Sequence, residues 1–289
     1  MKNFILKFRN LYEVLYDTTV GFIVDDAFTH SAAVSYFVLL SIIPIIVLTV
    51  SILSYFLGST ETAYDWISKQ ITYFSPDIAS KYELSVKVLT EEIINIRGTA
   101  LGLGIVSLLW IGMNTVCSLE NSLNVVMKIT IARNYFQRRL ISLILILLLF
   151  IMLYGTTILS AVITTTINKQ NILLKYLDID VSLLWAYGTK FSSIIVYFLA
   201  FYLIYRVLPR IKMPGIALVM SSLCAAIVWS VAKSLFSWFV VNISQYSKIY
   251  GSMAALFVFV IWLYFSVIIM IYFGEMVYAI KQRIKPNVS

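Results

Sequence analysis
Long apolar runs alternate with short polar segments along most of this chain. They extend from Val34 to Leu57, Ala100 to Leu119, Leu140 to Ile163, Leu183 to Val207, Ile216 to Ile243 and Met253 to Ile280. A helix needs roughly 20 apolar residues to cross a hydrocarbon core about 30 Å thick, and unpaired backbone groups cannot be left there. The pattern predicts an all-α, polytopic membrane helix bundle with six transmembrane helices at 34–57, 100–119, 140–163, 183–207, 216–243 and 253–280. Together these form a single integral membrane domain over 1–289. Within 1–30, Phe4, Phe8, Leu11, Leu15 and Phe22 recur at helical spacing beside Lys2, Lys7 and Arg9, which predicts an amphipathic helix lying along the membrane interface. Residues 1–26 lack the apolar core and small-residue cleavage pattern of a signal peptide, so the first span is expected to stay as an uncleaved anchor. The outer loop at 58–98 is long enough for two short helices, with "AYDWISKQITYF" amphipathic and "SPD" as the break.

Composition agrees with this solvent: 61% of residues are hydrophobic, 12% are charged, and the mean hydropathy is +0.90. The cations decide the orientation. Lys2, Lys7, Arg9, Lys128, Arg133, Arg138, Arg139, Arg206, Arg210, Lys212, Lys281, Arg283 and Lys285 fall on one side of the predicted spans. By the positive-inside rule that side is cytoplasmic, with both termini on it. The net charge of +8 then serves insertion and contact with anionic headgroups, making membrane lipids the expected partners. No nucleic-acid recognition motif accompanies it. Cys117 and Cys224 both fall inside spans, as packing residues.

Several stretches resemble the YihY/BrkB family of bacterial inner-membrane proteins. "HSAAVSYFVLLSIIPIIVL" is similar to its first span, and "SLENSLNVVMKI" to its acidic and asparagine signature after the second span. "YRVLPRIKMPGIAL", "AAIVWSVAKSLFSWFV" and "YGSMAALFVFVIWLYFSVIIMIYFGEMVYAI" resemble its last third, and Gly274 and Glu275 match its closing Gly-x-Glu motif, here as "GEM". The resemblance implies six spans, an old ribonuclease name, and proposed roles in virulence or in moving lipids or solutes.

The residues argue against the nuclease. Phosphodiester hydrolysis needs paired metals on clustered ligands, or an acid and base pair, and the chain has a single histidine. Asp25, Asp26 and His30 in "DDAFTH" are the one weak metal candidate, and their ordinary reading is a helix cap with a salt bridge. Neither a cofactor nor an enzymatic activity is expected.

Charges within the spans carry more. Helical rise places Lys190 about 10 Å and Lys233 about 15 Å from the outer ends of their spans, and a charge at mid-membrane costs roughly 2.5 to 3.5 kcal/mol on insertion scales. Ser193 accompanies the first lysine, while Ser230, Ser234 and Ser237 share a helical face with the second. The lysines either snorkel outward or form a basic pocket for an anionic group. Glu120 and Glu275 fall at cytoplasmic ends of spans, within reach of Arg138, Arg139, Arg206 and Arg210, as a clamp or gate. The expected function is a transporter or flippase for an anionic lipid or solute. The alternatives are a non-transporting scaffold or regulator of envelope assembly and, third, a ribonuclease.

Overall fold
The computed structural model describes residues 2–57, 97–131, 133–149, 181–243 and 247–284, with isolated positions at 87–88, 91–92, 95 and 151. Its helices are α1 (Lys2–Val24), α2 (Ala27–Leu57), α3 (Arg97–Val126), α4 (135–149), α5 (Val181–Val207), α6 (Gly215–Ile243) and α7 (Ser247–Ile284). Among the described residues there is no strand. Four stretches are long and apolar enough to cross a membrane: Ala27–Ser51, Gly98–Val126, Gly215–Phe239 and Phe257–Ile284. Ile194–Val207 is a shorter apolar helix. Most of the expected outer loop at 58–98 and half of the expected span at 140–163 lie outside the described residues.

Three helices, α2, α3 and α7, run several residues further than their apolar stretches. The second continues past Leu119 to Val126, because Glu120, Asn121 and Asn124 interrupt the apolar run without disturbing its spacing. Val116, Leu119, Leu123 and Val126 still recur at three- and four-residue intervals, and all are buried. The first begins at Ala27, where Ser31 and Ser35 donate to the carbonyls of Ala27 and Ser31, both at 2.7 Å. Ser41, Thr49 and Ser51 bond back in the same way, so these hydroxyls are satisfied by their own helix. Pro44 lies inside α2, which continues through it.

The helices form two compact units, with α3, α6 and α7 each contributing residues to both. One comprises Asp26–Ser122 and Val231–Ile269. It leaves Ile43, Ile46, Leu103, Val106, Trp110, Leu235, Trp238 and Ile261 exposed. Ser41 Oγ meets Thr115 Oγ1 at 3.0 Å, Phe236 stacks on Trp262 at 4.6 Å between centroids, and Gly104 meets Leu48 while Gly102 faces open space.

The other unit comprises Met1–Asp25, Leu123–Ser230 and Met270–Ser289. Here α7 is enclosed on nearly every side: from Ile271 to Ile280 only Tyr272 and Tyr278 are half-buried, and the rest are buried. The buried Tyr205 donates to the Met270 carbonyl at 2.7 Å, and Phe22 packs on the Tyr272 ring. Arg133 reaches the end of α5 and donates to the carbonyls of Leu208 at 2.9 Å and Val207 at 3.0 Å. A guanidinium is well suited to those final carbonyls, which carry the negative end of the helix dipole. Arg283 joins α7 to α1 through Glu13 at 2.8 Å and Asp17 at 2.5 Å.

Candidate functional site
Glu275 is 3% exposed, in the middle of the enclosed part of α7. Its carboxylate lies directly against the backbone of Gly21 on α1, where a Cβ would collide with it. On the same turn of α7, a Cβ at Gly274 would stand 2.6 Å from Leu123 Cδ2. Two absent side chains thus let α7 approach α1 on one flank and the end of α3 on another.

Asp25 is one helical turn beyond Gly21, and its N–H donates to the Gly21 carbonyl at 2.9 Å. That spacing places Asp25 on the Gly21 face of α1, beside Glu275, whose titratable neighbours are Asp25 and Lys128. Lys128 completes the cluster with an ion pair to Asp25 Oδ1. The Asp25 side chain is 8% exposed and that of Lys128 is 42% exposed, so the pair is buried at its acidic end and open at its basic end.

Lys128 is held by the way α3 stops. The N–H of Lys128 donates to the Val125 carbonyl at 3.0 Å and that of Ile129 to the Asn124 carbonyl at 2.8 Å, which closes the helix with a Schellman motif. The motif needs a left-handed residue, usually glycine, and Lys128 occupies it with φ 55°. For a side chain with a Cβ this costs about 1 to 2 kcal/mol. The other described non-glycine residue with positive φ is Asp26, at 50°, next to Asp25. Both strained positions therefore flank one ion pair, a placement characteristic of functional sites.

Asp25 Oδ2 and Glu275 Oε2 are buried without a hydrogen-bond partner among the described residues. The cluster contains two carboxylates and one ammonium group.

The remaining residues singled out by sequence fall as follows. Asp26 is exposed and precedes α2, its carbonyl accepting from the N–H groups of Thr29 at 3.0 Å and His30 at 3.3 Å, and His30 is half-buried on α2. Among the described residues no three His, Cys, Asp or Glu side chains gather to hold a metal. Glu120 is 2% exposed on α3. Arg138 and Arg139 are half-buried on α4, with the Arg139 guanidinium 5.3 Å from the Tyr135 ring. Arg206 and Arg210 are exposed at the end of α5 and just beyond it. On α6, Ser230 and Lys233 are half-buried, and Ser234 and Ser237 are exposed. Lys190 and Ser193 belong to α5, and their side chains lie outside the described residues.

Sequence reading singled out neither Gly21 nor Lys128 as a site residue. The signal for Gly21 was its four-residue spacing from Asp25 in "GFIVDD". Lys128 had none, since a lysine after "NVVM" does not announce a left-handed helix stop.

Similar proteins are bacterial membrane proteins. The chain is 26% identical over 262 residues to "Putative ribonuclease-like protein YfkH" of Bacillus subtilis, covering 89% of this chain and 91% of that one. It is 27% identical over 263 residues to a "UPF0761 membrane protein" of Alkalilimnicola ehrlichii, covering 89% of this chain and 55% of the relative. A third, a "UPF0761 membrane protein" of Aggregatibacter aphrophilus, is 26% identical over 238 residues, 80% of this chain and 79% of its own length. No solved structure matches. The family model described as "Virulence factor BrkB" matches residues 19–289, which takes in Gly21, Asp25, Lys128 and Glu275, and the chain belongs to that family.

Proposed function
We propose that this protein is a six-span protein of the bacterial cytoplasmic (inner) membrane, both termini in the cytoplasm, that moves an anionic lipid or solute across the bilayer. The observation that carries the reading is Lys233, half-buried within the apolar stretch Gly215–Phe239. A cation kept in such a span is costly and is therefore a functional position by default. Ser230 and Ser237 lie three residues before and four after it, on the same helical face. In this reading Lys233 and Lys190 engage the phosphate or carboxylate of the cargo. Glu275, beside Asp25 and Lys128 rather than the arginines, restrains the cytoplasmic end of α7.

A second reading, a non-transporting scaffold or regulator of envelope assembly, is favoured by the apolar flanks. Only 22% to 33% of each candidate span is buried. No enzymatic step is proposed, although one relative carries a ribonuclease-like name.

The test is reconstitution into liposomes with a fluorescent anionic lipid, comparing the wild type with the Lys190→Ala, Lys233→Ala double variant. Fast scrambling that the double variant loses supports the reading. Background rates for both, with an anionic solute flux that is equally absent, favour the scaffold.

A further inference from the structure
The cluster around Glu275 takes no part in binding the cargo in the reading above, and its charges do not balance. Two carboxylates, Asp25 and Glu275, face one ammonium, Lys128. Fully ionised, the group would leave a net negative charge in an enclosed, low-dielectric site, where an uncompensated charge is strongly unfavourable. One further positive charge restores neutrality. A divalent ion would overshoot, and among the described residues no third carboxylate, histidine or cysteine is at hand to hold one.

The geometry indicates where that charge goes. Lys128 takes Oδ1 of Asp25, while the cluster's remaining buried carboxylate oxygens, Asp25 Oδ2 and Glu275 Oε2, have no partner among the described residues. Glu275 is 3% exposed, and its carboxylate is pressed on Gly21, one turn from Asp25 on the same face of α1. The nearby Tyr272 hydroxyl is engaged with Thr19 Oγ1 at 3.0 Å, and Glu13 and Asp17 are engaged with Arg283. The half-exposed Lys128 gives the cluster one edge in contact with solvent.

We propose that Asp25 and Glu275 form a proton-binding site, one exchangeable proton per chain being held between Asp25 Oδ2 and Glu275 Oε2 and exchanged at the Lys128 edge. Proton binding itself stands without the transport reading. The use of that proton as the ion that drives transport rests on it.

Infrared spectroscopy of the purified full-length protein in detergent at neutral pH tests the binding step directly, whether or not the protein transports anything. The wild type is expected to show one protonated carboxyl band per chain, shifted in D2O and unchanged when sodium chloride is replaced by choline chloride. Glu275→Gln and Asp25→Asn each leave a single carboxylate facing Lys128, already balanced, so each variant is expected to lose the band. Lys128→Met is expected to keep it. Either isosteric variant suffices if it elutes as the wild type does on size exclusion. Absence of the band in the wild type, or its persistence in both carboxylate variants, overturns the proposal. Loss of the wild-type band on adding sodium makes the site a sodium site and overturns it equally.

Discussion

The two ends of α7 face different surroundings. From Phe257 to Phe265 the helix leaves Phe257, Phe259, Ile261 and Phe265 exposed, whereas from Ile271 to Ile280 nearly every side chain is buried. Both stretches are almost wholly apolar, so hydrophobicity does not distinguish them. In lipid, apolar side chains gain little by leaving the solvent, and helices associate where small residues allow close approach and polar groups need partners. The second stretch has both: Gly274 against Leu123, Gly21 beneath Glu275, and the Asp25–Lys128 pair beside them. The difference teaches that polar and small residues, few as they are, decide which part of a greasy helix is enclosed.

Substitutions sharpen that contrast, and thermal unfolding of detergent-purified protein is the common readout. The largest effect is expected at Gly21→Val, which drives a branched side chain into the Glu275 carboxylate and should destabilise by about 3 kcal/mol. If Gly21→Val melts as the wild type does, the close approach of α1 and α7 is not as described. Lys128→Ala comes next. It strands a mostly buried Asp25 and should cost about 2 kcal/mol after allowance for the exposed ammonium. Lys128→Gly loses the same ion pair but relieves the left-handed strain, and should melt above Lys128→Ala by about 1 kcal/mol of stability. The reverse order would remove the strained helix stop from the argument.

Tyr205→Phe removes the hydrogen bond to the Met270 carbonyl, leaves a buried acceptor, and should cost about 1 kcal/mol. Arg283→Ala breaks two pairs with partly exposed acids and should cost about 0.5 kcal/mol, less in high salt. Trp110→Ala, at a side chain that is 66% exposed, should change stability by less than about 0.5 kcal/mol. A large loss there would show that this face is covered by protein.

Much of the architecture was legible because hydrocarbon imposes a length and a period. Apolar runs of twenty residues announced helices at α2, α3, α5, α6 and α7. The ends were less legible. Glu120 looked like a terminus because it is charged, yet α3 continues past it to Val126 on spacing alone. Asp26 and His30 were legible as a helix cap: Asp26 precedes α2, and its carbonyl accepts from the His30 N–H at 3.3 Å. Glu275 was legible as an acid needing company, though its neighbours in the structure are Asp25 and Lys128, from segments far apart in the chain.

By itself, then, the sequence determined the apolar solvent and the helical class, since each follows from local composition and spacing. Only the tertiary structure decided which acid meets which cation. That pairing depends on a missing Cβ at Gly21, a left-handed turn at Lys128 and the mutual burial of distant helix ends, and no local pattern encodes such distances.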